Sequence, residues 1–494
     1  MSSDPKIDNV DTPKVIGQGS YGCVHKPQMK CKNKTQKKNN VSKLMKKNSA
    51  VNELHEYGYI DAADKNHNLY LGKPIMCDIE ETDANRKAIQ DCNNEMFVSS
   101  KLHEYALLVM NDGGQNLEQF ANDVYNNWQD TPENRNKIEL FWLEVSRLFY
   151  GLQIFHKHNI VHHDLKPQNI VYDGTSNRLN FIDFGFMTPV SKLIHDTEHS
   201  TYWSKTHHWS FPWENIYMNR RRYINMMDNM SFNRNKVFNN DATSVTSNCE
   251  VFFHFIISPT IDRKNKSYMR AGLLEQYYLM LSELTYDDYD RFVNKSIDTT
   301  DSYGVGIALS YVLHRTREFI SEDLYSELGD LFANMTTPNM FNRYDVDLLL
   351  LEYENIMRES KLLEKHNMRY ENHILVKGNQ IPAKVLHHID KLANLEYTLT
   401  PEQLTNEALE YNHLCPDGKM YKPTTKRCIK ICKDGYVRDA NFKCVKDKYN
   451  YYVYVPCPND KDRNPLTRRC VKKCKSGYLR DKTYKCKKGS NPFE

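Results

Sequence analysis

The chain has 494 residues, of which 40% are hydrophobic and 26% charged, a composition that fits a globular protein and excludes a fibrous or low-complexity one. No apolar run reaches about 18 residues, so no membrane span is predicted, and the first residues lack the hydrophobic stretch of a secretory signal. The formal net charge of +4 is unevenly placed: residues 415–494 carry 22 basic and 8 acidic residues, a net of +14, which leaves −10 for the body before them.

The first predicted elements, over residues 10–110, are short strands with one helical stretch, and they start at a glycine-rich segment. In "VIGQGSYGCV", Gly17, Gly19 and Gly22 precede Val24. Glycines let a backbone approach a polyphosphate closely and expose its N–H groups to it. This spacing also suits dinucleotide folds, but those need a helix directly after the glycines. The basic, turn-rich stretch that follows favours a hairpin over phosphates instead.

A lysine-bearing strand comes next, in "VSKLM". Val41, Lys43 and Met45 share one face of such a strand, which would put an ammonium group beside an apolar nucleotide pocket. Lys46 is the alternative candidate. In a segment this rich in lysine, a solvated surface lysine is a serious competing interpretation.

Two polar loops follow an amphipathic helix pattern at residues 137–160. The first loop is "HHDLKPQN" at 162–169, and the second lies within "LNFIDFGF" at 179–186. Together they present one ammonium, one amide and two carboxylates between buried segments, on the residues Asp164, Lys166, Asn169 and Asp183. Further helices are predicted at 301–335 and 343–367, and a helix start at 400–404. Strands in front and helices behind predict a two-lobed α+β protein.

In this order the motifs resemble those of the eukaryotic-type protein kinases. The resemblance continues with "FPWE" at 211–214, similar to the A-P-E motif that ends the activation segment of these kinases, and "DSYGVG" at 301–306, similar to a helix start. It ends with "FNRYDVDLLL" at 341–350, similar to a late motif whose arginine pairs with the A-P-E glutamate. The implied boundaries are a small lobe over 10–110 and a large lobe over 111–370.

The resemblance implies a role for each site residue. Asp164 would accept or orient the proton of a substrate hydroxyl, and Lys166 would steady the γ-phosphate of ATP. Asn169 and Asp183 would hold Mg²⁺. The glycine segment with Val24 would cover the nucleotide, and "LLVMNDGG" at 107–114 would receive the adenine.

Lys43 would contact the α- and β-phosphates and pair with a glutamate of the following helix. Glu56 is preferred for that pairing over Glu53. The motif "DLKP" and Thr206 resemble those of serine/threonine kinases, so the implied enzyme is an ATP-dependent serine/threonine protein kinase with protein substrates.

Two departures from the family stand out. His163 occupies the position of an arginine that clamps a phosphorylated activation segment, so activity without phosphorylation of that segment is expected. Residues 215–300 form an insertion where the family has a short connection. The apolar face of residues 272–284 predicts that the insertion packs on the large lobe.

The end of the chain is a repeat, preceded by a predicted helical linker at 371–412. Four cysteines recur after 42 residues, and the segments 415–444 and 457–486 are identical at 16 of 30 aligned positions. They resemble the two-cysteine adaptor modules that are fused to kinases of large nucleocytoplasmic DNA viruses, such as those of the mimivirus and iridovirus kind. Disulfides are favoured, but one Cys₄ zinc ion per module or free thiols stay open.

The basic charge of the tail indicates an acidic protein or nucleic-acid partner, unless it is only a solvated surface. The leading hypothesis is an active viral kinase with a docking tail, present in the host cytoplasm or viral factory and packaged in the virion. The alternative is a catalytically silent kinase-fold virion or scaffold protein that acts through the tail. Phosphorylation of a small molecule or lipid is disfavoured by "DLKP" and Thr206.

Overall fold

A computed structural model describes residues 12–19, 22–33, 37, 39–92, 97–199, 208–229 and 251–378, together with short strands between 419 and 488. The chain forms two compact units, residues 1–379 and residues 380–494. The first unit has a β-sheet N-terminal lobe and a helical C-terminal lobe, in agreement with the predicted α+β class.

The small lobe is built on an antiparallel sheet of five strands in the order β1-β2-β3-β5-β4. The strands are β1 (Lys14–Gly19), β2 (Gly22–Lys26), β3 (Asn40–Lys46), β4 (Ile75–Cys77) and β5 (Tyr105–Asn111). Two helices accompany them, α1 (Lys47–Ala63) and α2 (Asp83–Gln90). The prediction of one helical stretch was therefore wrong, because α2 has only eight residues. Its start is nevertheless capped by the Thr82 side chain, which accepts from the N–H of Asn85.

The two helices lie against opposite faces of this sheet, because successive side chains of a strand point in opposite directions. Leu44 of β3 packs in a cluster with Ile89 of α2, whereas its neighbour Met45 packs in another with Ala50 of α1. The small lobe thus has two thin cores. The core on the α2 face contains two disulfides, Cys23–Cys92 and Cys31–Cys77, which the sequence analysis did not anticipate.

The large lobe is mainly helical. Its helices before the insertion are α3 (Leu117–Asn127), α4 (Pro132–Glu144), α5 (Ser146–Lys157) and α6 (Val190–His199). Short strands alternate with them: β6 (Gln115–Asn116), β7 (Ile160–Val161), β8 (Ile170–Asp173), β9 (Arg178–Phe181) and β10 (Thr188–Pro189). The single helix predicted at 137–160 is two helices that meet at Val145.

The described residues of the insertion are mainly helical, and the insertion shares its last helix with the rest of the lobe. Residues 220–229 (α7) and 251–256 (α8) are helical, and they are followed by α9 (Arg263–Glu283) and α10 (Tyr289–Thr316). α9 buries Tyr277, Met280 and Leu281 in the large-lobe core, which confirms the predicted packing. The helix predicted to start at Asp301 in fact starts twelve residues earlier, because α10 runs unbroken through that position.

The large lobe closes with α11 (Glu322–Thr336), α12 (Val346–Glu359), α13 (Leu362–Lys365) and a hairpin of β11 (Met368–Glu371) and β12 (Ile374–Lys377). The hydroxyl of Tyr370 donates to the carbonyl of Leu143, and a ring nitrogen of His373 lies 2.8 Å from Glu354 Oε1. Residues 371–377 were predicted to begin a helical linker, but they belong to this hairpin instead. The remainder of that predicted linker, 379–412, lies outside the described residues, as does the predicted helix start at 400–404.

The described residues of the second unit form four two-stranded antiparallel hairpins. They are β13 (Lys419–Lys422) with β14 (Arg427–Lys430), β15 (Tyr436–Arg438) with β16 (Cys444–Lys446), β17 (Lys461–Arg463) with β18 (Cys470–Lys472), and β19 (Tyr478–Arg480) with β20 (Cys486–Lys488). The last two hairpins follow the first two at the 42-residue spacing of the sequence repeat. The state of the tail cysteines lies outside what the structure describes.

Candidate active site

Lys43 lies in the middle of β3, opposite Val24 of β2 and Leu108 of β5. Its ammonium group donates to both carboxylate oxygens of Glu53 on α1, with Nζ–O distances of 2.8 and 3.0 Å. It also donates to Oδ1 of Asp183, at 2.9 Å. A single side chain therefore connects the sheet, α1 and the large lobe. Lys46, the alternative candidate, is exposed at the end of the strand.

The predicted pairing of Lys43 with Glu56 was wrong, because Glu53 occupies that place. The buried residues of α1 recur at three- and four-residue steps, at Ala50, Glu53, Tyr57 and Ile60. Glu53 is on this stripe and Glu56 is not, so the apolar periodicity of the helix was the signal that would have selected the right glutamate. Burial, together with the nearby charge of Glu53, raises the pKa of Glu56 to about 7.

The ion pairs at Lys43 set the charge state of this part of the site. Desolvation alone would lower the pKa of Lys43, but Asp183 and Glu53 outweigh it and hold that pKa above its ordinary value. Desolvation would likewise raise the pKa of Asp183, but the ammonium group of Lys43 keeps it below the ordinary value. Both groups are therefore charged at neutral pH.

The second cluster of the site is Asp164 with Lys166 and Asn169. Lys166 Nζ lies 2.8 Å from each carboxylate oxygen of Asp164. The amide nitrogen of Asn169 donates to the backbone carbonyl of Asp164 at 2.7 Å and to its Oδ2 at 2.8 Å. The charge of Lys166 also helps to lower the pKa of Asp183, which connects the two clusters electrostatically.

Asp301, whose role the sequence analysis missed, holds the loop that carries Asp164. Its carboxylate accepts from the backbone N–H groups of His162 and His163, at 2.7 and 2.8 Å. One turn further along α10, a Cβ on Gly304 would lie 2.2 Å from the carbonyl oxygen of Leu165. Glycine at that position therefore lets the catalytic loop rest directly on the helix.

Phe184, which follows Asp183, fixes the position of α1 relative to the large lobe. It is fully buried, and its ring centroid lies 5.0 Å from that of Tyr57 on α1, 5.7 Å from that of Tyr70 and 5.0 Å from that of His162. Edge-on and tilted aromatic contacts of this kind are favourable. The cluster supports the helix that presents Glu53 to Lys43.

The glycine segment forms the predicted hairpin, with Gly19 opposite Gly22 in the β1–β2 register. A Cβ on Gly22 would lie 2.3 Å from the carbonyl oxygen of Leu44, so the packing of the sheet requires glycine there. A Cβ on Gly19 would meet no atom of the described residues within 4 Å, and one on Gly17 would touch only Val24, at 3.8 Å. Packing among the described residues therefore requires glycine at position 22.

The predicted pairing between the "FPWE" glutamate and the late arginine is confirmed. Arg343 Nη1 lies 2.6 Å from Glu214 Oε1, and Nη2 lies 3.1 Å from Oε2. Both side chains are almost fully buried. This bidentate ion pair fixes the end of the activation segment to the large lobe.

His163 is buried, and its ring is parallel to that of Phe211 with the centroids 5.2 Å apart. Burial, with a smaller effect of His162, lowers the pKa of His163 to about 4, so the ring is neutral at physiological pH. Thr206 and the candidate phosphorylation sites Ser200, Thr201, Tyr202 and Ser204 lie outside the described residues.

Residues 94–228 match the family model of the protein kinase domain. The match includes Asp164, Lys166, Asn169 and Asp183, whereas the glycine segment, Lys43 and Glu53 precede it. The chain therefore contains a protein kinase domain. Such a domain indicates phosphoryl transfer to protein substrates. In the described parts of the chain, none of the helices has both the length and the apolar character needed to cross a bilayer.

Proposed function

We propose that this chain is an active ATP- and Mg²⁺-dependent serine/threonine protein kinase. The observation that carries the proposal is the simultaneous pairing of Lys43 with Glu53 and Asp183, beside the bonded group of Asp164, Lys166 and Asn169. Phosphoryl transfer depends mainly on positioning and on neutralisation of charge. These contacts assemble the charged groups for that task on both sides of one cleft.

The residues of the cleft fit ATP and Mg²⁺. Asn169 uses its amide nitrogen to bind Asp164, so its Oδ1, the atom able to ligate a cation, points to the opposite side of the amide. Asp183 is an ionised carboxylate, the kind of ligand that Mg²⁺ prefers. Among the described residues, a side chain at Gly17 would contact only Val24 and one at Gly19 would contact no atom within 4 Å, which is compatible with phosphate groups lying against this hairpin. Bound ATP supplies the phosphoryl group, and Mg²⁺ neutralises its charge.

The side chains of the chain itself then have separate tasks. Lys43 binds phosphate oxygens and is held in an extended position by Glu53. Asp164 orients the hydroxyl of the substrate and accepts its proton, while Lys166 moves from Asp164 towards the transferred phosphate as charge develops there. The preference for serine and threonine rests on "DLKP" and Thr206.

We assign the tail a docking role for an acidic partner, a protein or a nucleic acid, because its net charge is +14. Viral origin, presence in the host cytoplasm or viral factory, and packaging in the virion rest on the resemblance of the repeats to adaptor modules. Removal of residues 415–494 should leave phosphorylation of a generic peptide unchanged, since every proposed catalytic residue precedes Arg343. A truncated protein that is folded but inactive would make the tail part of the enzyme.

The test is phosphorylation of generic protein substrates by the purified full chain with radiolabelled ATP. Asp164→Ala and Asp183→Asn should abolish transfer, and Asp130→Asn, at a surface aspartate paired with Arg135, is the matched control that should not. Phosphoamino-acid analysis of the product identifies serine, threonine or tyrosine. If wild type and Asp183→Asn incorporate equal amounts of radiolabelled phosphate, the kinase proposal is rejected in favour of a catalytically silent scaffold protein.

A further inference from the structure

A continuous series of aromatic rings connects the catalytic loop to the insertion. Consecutive ring centroids lie 4.3–5.6 Å apart along it. We call it the ring stack; in order, its members are His163, Phe211, His208, Trp209, Phe255 and Tyr311.

The tightest contact of the ring stack is the one that the insertion supplies. The rings of Trp209 and Phe255 are parallel within 5° and their centroids are 4.3 Å apart. Phe255 belongs to α8, is almost fully buried, and continues to Tyr311 of α10 at 4.6 Å. The hydroxyl of Tyr311 donates to Asn122 of α3 at 2.8 Å. The ring stack therefore ends on a fixed part of the large lobe.

Other residues of the insertion surround the same stretch of chain. Phe252 and Phe253 of α8 contact the ring of Trp213, with centroids 5.3 and 6.0 Å away. The hydroxyl of Tyr277 on α9 donates to the backbone carbonyl of Trp213 at 3.2 Å. Residues 208–214 are thus held by the insertion on one side and by the Glu214–Arg343 ion pair on the other.

The other end of the ring stack reaches the reacting groups. His163 immediately precedes Asp164, and its backbone is fixed by Asp301. The pKa of His208 is lowered to about 4 by burial and then by the charge of Lys166, with Asp164 acting in the opposite direction. His208 therefore lies within electrostatic range of the catalytic pair.

We propose that Phe255 is a positioning residue that holds residues 208–214 in place for protein substrates, through the ring stack and without a phosphorylated activation segment. The inference rests on the proposed function and gives the insertion a task in it. His163 occupies the position at which related kinases have an arginine that binds a phosphate. The ring of His163 is neutral and lies parallel to the ring of Phe211. The contact of Phe255 with Trp209 is apolar and needs no phosphate.

The first test does not depend on catalysis. It measures hydrogen–deuterium exchange in peptides that cover residues 208–217. Exchange should become roughly 2- to 10-fold faster in Phe255→Ala, which is the effect expected from losing one stacked pair. The matched control is Phe319→Ala, which removes an equally buried phenylalanine whose ring contacts Trp128, outside the ring stack. Wild-type exchange in a folded Phe255→Ala protein would overturn the proposal.

Two further variants distinguish the effect of the aromatic ring of Phe255 from the effect of its apolar volume. Phe255→Tyr retains the ring and should exchange like the wild type, whereas Phe255→Leu keeps most of the apolar volume and should exchange like the alanine variant. Phe255→Leu also decides the question if the alanine variant unfolds. Wild-type behaviour of Phe255→Leu would show that filled volume suffices and would overturn the role of the stack.

The kinetic test separates the two substrates. In Phe255→Ala the KM for a protein substrate such as dephosphorylated casein should rise roughly 2- to 10-fold. The KM for ATP should not change, because none of the residues proposed to bind the nucleotide belongs to the ring stack. Equal rises in both KM values would indicate a general structural defect and overturn the assignment.

Phosphatase treatment completes the test. Treated wild-type enzyme should keep its KM for casein, and a large rise would show that a phosphate orders the segment. If the wild type transfers no phosphate at all, the proposed function fails, and the exchange measurements still decide whether Phe255 orders residues 208–214.

Discussion

The two lobes of the catalytic unit are stabilised by different means. The small lobe divides its apolar residues into two thin cores, and four of the thirteen members of the larger one are cysteines joined in disulfides. The large lobe has one continuous core rich in aromatic residues, which extends to Tyr57 and Ile60 of α1. Small cores bury too little surface to be stable alone and commonly need covalent support. In this protein the two disulfides therefore lie where the core is thin.

The large lobe contains no disulfide among its described residues, and it buries ion pairs, notably Glu214–Arg343 and Glu144–Arg147. A buried ion pair adds little net stability, because removing two charges from water offsets their attraction. Loss of one partner is costly, since the other charge then stays buried without compensation. The lobes should therefore respond to different perturbations.

The largest effect is expected from breaking the buried pair of the large lobe. Arg343→Met should lower the free energy of unfolding by about 3–5 kcal/mol, because Glu214 remains buried and unpaired. Denaturant unfolding followed by tryptophan fluorescence measures this change. The double variant Glu214→Gln/Arg343→Met is the control and should recover much of the loss. A cost below about 1 kcal/mol for the single variant would show that water compensates Glu214.

The next effect concerns the small lobe. Removing the Cys23–Cys92 bond in the Cys23→Ala/Cys92→Ala variant should cost about 2–4 kcal/mol, the usual contribution of a disulfide that closes a long loop. Hydrogen exchange of peptides from 14–111 reports this lobe separately from the large one. A reductant should loosen the small lobe of the wild type and leave that of a variant lacking Cys23, Cys31, Cys77 and Cys92 unchanged. Equal loosening of both lobes would contradict the division described above.

A smaller effect, on turnover, tests the contact that joins the lobes. Glu53→Gln removes a charge-assisted hydrogen bond to Lys43, worth about 1.5–3 kcal/mol. If the transition state loses this much stabilisation, kcat should fall roughly 10- to 150-fold. Glu56→Gln, the same substitution one turn further along α1, is the control and should retain near-wild-type kcat. The reverse ranking would restore Glu56 as the partner of Lys43.

The smallest effect is a dependence of stability on pH. The pKa of Glu56 is about 7 in the folded protein, whereas an unfolded glutamate titrates near about 4.3. The folded state binds the proton more tightly, so stability should fall as pH rises through this window. Besides Glu53, the charges that act on Glu56 are those of Lys192, Asp183 and Lys43. Melting temperatures from pH 5 to 8 should decline less in Glu56→Gln, and parallel curves would contradict the assignment.

Residue pattern and spacing were sufficient to predict the two lobes and the clustering of Asp164, Lys166 and Asn169, whereas the Glu214–Arg343 pair was implied by the resemblance to protein kinases. The clustering depends on one local motif, whose geometry is fixed within a few residues, but Glu214 and Arg343 are 129 residues apart in sequence and only the resemblance connected them. The disulfides were missed because Cys23 and Cys92 are far apart in sequence and meet only when α2 folds over the sheet. The partner of Lys43 was missed because two glutamates one turn apart differ only in which side of α1 is buried. The roles of the site residues in catalysis stay predictions.

The unbroken course of α10 has a consequence for the modularity of this chain. The helix has 28 residues and is about 42 Å long. Its first twelve residues belong to the segment that looks inserted, and the rest carries Asp301 and Gly304 beneath the catalytic loop. An excision of residues 215–300 would cut through this helix and remove the α8 and α9 side chains packed around Trp213. The apparent insertion is therefore not a separate module that can be deleted or transplanted. It is a structural part of the domain that contains it.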